Sequence, residues 1–335
     1  MNDLNPHVKY TFSRIGIIYS IFSVAATLIQ ILVLNISQFF IPDRMSLNLQ
    51  IIESSASLYI VGMLVLCIGF SGDKFKISKP DKHAMKPRAF FKGFCMCYAL
   101  LIISNLIGNV ITTVIGIIKG SPVINPVETM ALEMSLPVMF LFTVVCAPIF
   151  EEWFFRKLII DRTLHFGEVP SMLLSGFMFG LFHGNLSQFP YAFTIGIFFA
   201  YLYIRTGRLL YPILMHAIVN FLGSIAGVVV LKAVDYDVLL NMSVAGSEAE
   251  MMNALITMFT DKGFLVLLIY EVLVVSLVIM GLIFWILDFK KFKFEVQDEE
   301  LSKGNRFAMI MFNPGMIAYV VIWMLMILIN TLTAV

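Results

Sequence analysis

The feature that most constrains this chain is a succession of apolar stretches, separated by short charged or Pro/Gly-containing breaks. A hydrocarbon core of about 30 Å takes roughly 20 apolar residues per helical crossing. Nine candidate spans follow, at roughly 13–36, 51–71, 89–118, 134–160, 169–183, 189–205, 209–232, 263–287 and 307–334. An isolated strand cannot satisfy its backbone in lipid, and no regular alternation over ten residues marks a barrel, so the spans are expected to be helices. The fold class expected is all-α, a polytopic integral membrane bundle of eight to nine transmembrane helices. Four parts are expected along the chain: N-terminal transmembrane helices over 1–130, a membrane core over 131–232, an extracytoplasmic amphipathic segment over 233–262, and C-terminal transmembrane helices over 263–335. The first apolar run reads as a retained helix rather than a signal peptide, because no small-residue cleavage site follows it.

Composition excludes the main alternative. With 59% hydrophobic and 13% charged residues and a mean hydropathy of +0.91, too few charges remain to solvate the surface of a soluble globule. The lipid bilayer is therefore the expected partner of most of the surface. A net charge of +1 provides no field for nucleic acid, which is not expected as a partner. Cys67, Cys95, Cys97 and Cys146 lie in apolar segments without CxxC spacing and read as small buried hydrophobes.

Orientation follows from the basic loops. Lys74, Lys76, Lys79, Lys82, Lys86, Arg88 and Lys92 cluster before the third span, and Lys290, Lys291, Lys293, Lys303 and Arg306 after the eighth. Alternate threading puts both clusters on the cytoplasmic side of what is expected to be a bacterial plasma membrane. The N-terminus, the Arg156/Lys157/Arg162 region and the Arg205/Arg208 turn fall on that side too. Segments 37–50, 119–133 and 233–262 fall outside. In the last of these, Leu239, Leu240, Met251, Met252, Leu255, Ile256, Met258 and Phe259 recur at helical spacing among acidic residues, as in a helix lying on the outer surface or packed on the bundle.

Ionisable groups within spans are costly and mark candidate functional sites. In Glu151-Glu152-Trp153-Phe154-Phe155-Arg156, Glu152 and Arg156 are four residues apart, in the favourable order for an ion pair. Glu151 points about 100° away and has no sequence-local partner, a placement suited to a general base; the alternative is that both acids are merely solvated at the interface. In Phe179-Gly180-Leu181-Phe182-His183, the helix is expected to end at His183 and expose it to a cavity, although a structural hydrogen bond is the other reading. His216 and Asn220 share one face of span seven and can both donate toward one point, as an oxyanion requires, or can simply glue helices together. Cys146 lies five residues before Glu151 and is not expected to act as a nucleophile. For Glu151 and His183 to reach comparable depth, either span four continues past Ile160 or span five begins outside the bilayer, and the former is expected.

The ordered motifs EExxxR (Glu151, Glu152, Arg156), FxxxH (Phe179, His183) and HxxxN (His216, Asn220) resemble those of the CPBP family, which comprises the type II CAAX prenyl endopeptidases and their bacterial Abi and bacteriocin-processing relatives. The resemblance covers about 135–225. It implies an intramembrane endopeptidase whose site opens to the cytosol. Glu151 and His183 would activate water and His216 with Asn220 would form the oxyanion hole, with Glu152, Arg156 and Phe179 as supporting motif residues. No cofactor is required by this chemistry; were zinc used, Glu151, His183 and His216 would be its ligands. The substrate expected is a peptide or membrane protein, either prenylated or a bacterial leader peptide. Competing readings are a non-catalytic immunity or sensor protein, and a proton-coupled transporter that uses the buried Glu and His as a relay. In either case Glu271 and Asn330, polar residues in the last two spans, are left without a role.

Overall fold

The computed structural model describes residues 6–41, 46–71, 75–123, 125, 133–234, 247–302 and 304–333, and among them every regular element is helical. In chain order these are α1 (Pro6–Phe40), α2 (Leu47–Phe70) and α3 (Pro87–Lys119). They are followed by α4 (Leu136–Phe166), α5 (Glu168–Phe182), α6 (Phe189–Thr206) and α7 (Leu210–Ala233). Last come α8 (Glu248–Thr260), α9 (Lys262–Asp288), α10 (Arg306–Met311) and α11 (Pro314–Thr333). Seven of them, α1 to α4, α7, α9 and α11, are long and apolar enough to cross a membrane. The chain is a polytopic helical membrane protein, as the apolar runs require.

Each expected span has a helix, with three differences. Span four does continue past Ile160, to Phe166, so Glu151 lies well inside the bundle rather than at its rim. Span nine is broken. Asn313 accepts from Met316 N and donates to the Ile310 carbonyl at 2.7 Å, ending α10 and starting α11 at Pro314. Span five is short: α5 has 15 residues, about 22 Å at 1.5 Å per residue, less than the hydrocarbon core.

That short helix forms a hairpin with α6, and glycines let the two approach closely. A Cβ on Gly176 would meet the Phe193 carbonyl at 2.9 Å, and one on Gly196 would meet Gly176 Cα at 3.0 Å, so only small residues fit the seam. The turn between them, with Asn185, Ser187 and Gln188 buried, satisfies itself: Asn185 Oδ1 accepts from Gln188 N at 2.8 Å, and its Nδ2 donates to Gln188 Oε1 at 2.6 Å. Asn330 of α11 donates to the Gly184 carbonyl of this turn at 2.7 Å, which explains one polar residue left unassigned by sequence. Irregular backbone at membrane depth is tolerated because protein, not lipid, surrounds it.

In the outer segment, residues 235–246 lie outside the description. The helix α8 is present, with Met251, Met252, Ile256 and Phe259 exposed and Met258 turned inward.

Candidate active site

Two crossing helices, α4 and α7, carry most of the polar residues, and neither is a regular α-helix. In α4 the backbone widens to π geometry at Phe140–Cys146 and again at Trp153–Lys157. In α7 it does so at Phe221–Ala226, directly after Asn220. Such bulges re-aim side chains and detach carbonyls from the ladder, and they recur at functional sites. The carbonyls of Phe154 and Phe155, beside the second bulge, are picked up by other helices. The Tyr19 hydroxyl of α1 donates to Phe154, and Ser175 Oγ of α5 donates to Phe155 at 2.8 Å.

On this scaffold Glu152 and Arg156 are both fully buried, with carboxylate and guanidinium in contact at 3.0 Å. Arg156 is sandwiched between the rings of Phe179, 4.3 Å from its centroid, and Phe199, at 5.5 Å. Among the described residues the guanidinium nitrogens find no hydrogen-bond partner, so the ion pair and the two π faces offset its burial. Phe179 thus has a physical task, as the platform on which the cation lies.

His216 stands between the two acids. Its Nδ1 donates to Glu152 Oε1 at 2.9 Å, and its Nε2 faces Glu151 Oε2 at 3.8 Å. The imidazole stacks on Phe199, with centroids 5.2 Å apart. Glu152 bridges Arg156 and His216, whereas Glu151 retains some exposure, 13% of its side chain. Glu152 is thus the more tightly paired acid, and Glu151, expected from sequence to have no local partner, faces His216 from another helix.

His183 caps the end of α5, as the sequence places it, and is half-buried. Its Nδ1 bonds the Phe179 carbonyl at 2.9 Å, which fixes the ring and directs Nε2 away from its own helix. Phe179 presents its ring to both histidines, 4.7 Å from His183 and 5.9 Å from His216. The two imidazoles therefore flank one phenyl ring. Among the described residues no ion pair joins His183 to Glu151, and the imidazole facing Glu151 is that of His216.

Asn220 lies one turn beyond His216 and donates from Nδ2 to the Thr143 carbonyl at 2.8 Å, across the seam between the bulges of α4 and α7. Thr143 Oγ1 and Ser224 Oγ are 3.1 Å apart, and Ser224 Oγ donates to the Asn220 carbonyl at 2.6 Å. The sequence reading has both His216 and Asn220 donating to a single point. In the structure each has one donor already engaged, His216 on Glu152 and Asn220 on Thr143, and one left over: Nε2 and the second amide hydrogen.

Thr143, Ser224, Tyr19, Ser175 and Phe199 escaped the sequence reading. A hydroxyl in a helix usually bonds its own preceding turn, so nothing along the chain distinguishes these from ordinary residues. Tyr59 of α2 escaped it too; it is buried, stacks on Phe150 at 4.6 Å, and its hydroxyl is within electrostatic reach of Glu151. Cys146 is a free, half-buried cysteine. A zinc site fares poorly on geometry: among the described residues no three His, Cys, Asp or Glu side chains converge to hold an ion, and Glu151, His183 and His216 do not form such a group.

Comparison with known proteins agrees with the motif resemblance. Residues 133–222 match the family model described as Type II CAAX prenyl endopeptidase Rce1-like, and the motif positions from Glu151 to Asn220 all fall within that segment. The "Membrane-embedded CAAX protease MroQ" of Staphylococcus aureus (strain USA300) is 23% identical over 216 residues, covering 58% of this chain and 86% of that protein. The "Putative membrane peptidase YdiL" of Bacillus subtilis (strain 168) is 29% identical over 127 residues, covering 37% of this chain and 50% of that protein. No solved structure matches.

Proposed function

We propose that this chain is an intramembrane endopeptidase that hydrolyses a peptide bond with water activated by Glu151 and His183, the oxyanion being held by His216 and Asn220. The observation that carries the reading is the placement of His216 between two carboxylates, Glu152 at 2.9 Å and Glu151 at 3.8 Å. His216 is hydrogen-bonded to Glu152 through Nδ1, while Nε2, 3.8 Å from Glu151, is too distant for a hydrogen bond and faces that carboxylate across the site.

In the step proposed, a water between Glu151 and His183 gives a proton to Glu151 as its oxygen attacks the carbonyl carbon. The carbonyl oxygen takes up the displaced electron pair and is held by His216 Nε2–H and the second amide hydrogen of Asn220. Collapse of the tetrahedral intermediate breaks the C–N bond, and the leaving amine receives its proton from Glu151 or His183. Glu152 keeps His216 donating through Nδ1, and Arg156 holds the Glu152 carboxylate in place; both are positioning residues. No metal-dependent step is included, because the candidate donors do not converge. The site is proposed to open toward a cytoplasmic face that carries the basic loops, with the N-terminus on that side. The substrate is a peptide or membrane protein, either prenylated or a leader peptide.

The test is cleavage of a panel of quenched peptides, prenylated and unmodified, by detergent-purified protein beside Glu151→Ala and His183→Ala, with and without o-phenanthroline. Turnover lost in both variants and retained in chelator supports the reading. Variants that cleave as well as the unaltered protein would sink the assigned site, and loss in chelator would replace direct activation of water by metal chemistry.

A further inference from the structure

Between α2 and α3 the chain forms no helix over residues 75–86, yet this segment is not a loose loop. Ser78 N donates to the Asp161 carbonyl at the end of α4 at 2.7 Å, and His83 N to the Thr206 carbonyl at the end of α6 at 2.8 Å. Met85 N donates to the Tyr211 hydroxyl of α7 at 2.7 Å. Phe75 and Pro80 are buried beneath it. Gly207, at φ +59°, lets α6 turn under the segment, for a Cβ there would meet the Asp81 carbonyl at 2.3 Å. The segment is a strap fastened across the ends of α4, α6 and α7, three of the helices that build the site.

The side chains it presents are mostly cationic. Lys79, Lys82, His83, Lys86 and Arg88 are exposed, with Arg208 exposed beside them, and Asp81 is the one acid between residues 77 and 91. At the two ends Lys76 pairs with Glu299 and Lys92 with Asp288, whereas no ion pair is made by Lys79, Lys82, Lys86, Arg88 or Arg208 among the described residues. A basic loop at the lipid perimeter would be answered by headgroups. This one is fastened by its backbone to the protein's own helices, which holds its cations in fixed positions, and their charge complements an acidic polypeptide.

The spacing to the site is measurable along α4. Asp161, to which the strap is bonded, follows Glu151 by ten residues, about 15 Å at 1.5 Å per residue. An extended peptide covers that distance in about five residues at 3.3 Å each. We propose that the strap is a docking surface for an acidic stretch of the substrate, placed about five residues from the bond that Glu151 faces. The proposal rests on the endopeptidase reading for its scissile bond, but not for its binding.

Two labelled peptides, one with a run of four glutamates and one with glutamines in their place, are titrated by fluorescence anisotropy against the detergent-purified full chain. The same titration is made on Glu151→Gln, on a triple reversal (Lys79→Glu, Lys82→Glu, Lys86→Glu) and on the triple Lys→Gln variant, which keeps the strap's contacts if reversal disturbs folding. The acidic peptide is expected to bind about tenfold tighter than the glutamine peptide at low salt, with the preference collapsing near 0.5 M salt. Glu151→Gln should keep the preference and both triple variants should lose it. Equal binding of the two peptides, or a preference that survives in the triple variants, overturns the proposal. So does loss of the preference on reconstitution in phosphatidylglycerol discs but not phosphatidylcholine discs, which would assign the strap to lipid. Binding preference without cleavage of any peptide leaves the docking surface standing and removes the peptidase reading; cleavage without charge preference does the reverse.

Discussion

The helices α4 and α9 both cross the bundle, and they solve the same problem in opposite ways. α9 runs 27 residues without interruption, is exposed along most of its length, and carries one acid within its apolar run, Glu271, which is exposed, besides Asp288 at its end. α4 breaks its ladder twice and buries Glu152 and Arg156 completely. A regular helix satisfies its own backbone and can face lipid without assistance. A bulged helix cannot, and the carbonyls of Phe154 and Phe155 depend on Tyr19 and Ser175 from α1 and α5. The irregular helix therefore needs the centre of the bundle, and the centre is where charge can be paired and water controlled. Irregularity, burial and chemistry coincide in α4 because each requires the others.

Experiments that remove one member of that set should separate them. The largest effect expected is on turnover: Glu151→Gln keeps the size of the side chain but not its basicity, and should lower cleavage by about 10²- to 10⁴-fold. Its thermal unfolding midpoint should stay close to that of the unaltered protein, since Glu151 is the less tightly paired acid; a large fall would make it a structural residue.

Next in size is Arg156→Ala. Removing one partner of a fully buried pair should cost about 3–5 kcal/mol of stability, read as thermal unfolding in detergent. Glu271→Ala on α9 is the control, expected to stay within about 0.5 kcal/mol. Similar losses for the two would erase the contrast between the helices.

Tyr19→Phe tests the bulge by itself, deleting the hydroxyl that answers the Phe154 carbonyl while keeping the ring. A loss of about 1–2 kcal/mol is expected, together with reduced turnover if the bulge sets the direction of Glu151 and Glu152. An unchanged unfolding midpoint would mean that the carbonyl is satisfied in another way.

The smallest effect lies outside the membrane. Lys76 and Glu299 pair at 2.7 Å on the strap side. The Lys76 ammonium hydrogen-bonded to Glu299 holds that carboxyl below its ordinary range, and the same bond holds Lys76 above its own. The Glu299 contribution is present above an unfolded-state value of about 4 and is lost as pH falls through the lower folded value. The Lys76 contribution is present below about 10 and is lost as pH rises through the higher folded value. Glu299→Gln should thus lower the unfolding midpoint slightly and evenly between these limits. It should have no effect in high salt, because both side chains are nearly half exposed. A pH-dependent effect near neutrality would point to a different partner.

Much of this arrangement could be read along the chain. Apolar runs located every crossing helix to within about seven residues at each end, because burial in lipid demands a length and a composition that short stretches of sequence record directly. The motif positions were legible for a related reason: a charge inside an apolar run is costly enough to stand out, and the four-residue spacing of Glu152 and Arg156 placed them on one face without tertiary information. What sequence could not show was direction and partnership. Its period of 3.6 residues treats α4 and α7 as regular helices, so it could not register three π bulges, nor that Asn220 spends one hydrogen on Thr143. Nor could it show that the imidazole facing Glu151 is that of His216 rather than His183.

The sequence by itself determined that this protein is a helical membrane protein, roughly how many times the chain approaches crossing the bilayer, and which ionisable residues fall inside its apolar runs. Only the tertiary structure decided that Arg156 lies between two phenyl rings, that His216 links two carboxylates, and that the 75–86 segment is fastened over the helices bearing the site. The first set depends on the transfer of single segments from water to lipid, a property local in sequence. The second depends on contacts between residues tens to hundreds of positions apart, which exist only once the helices have packed.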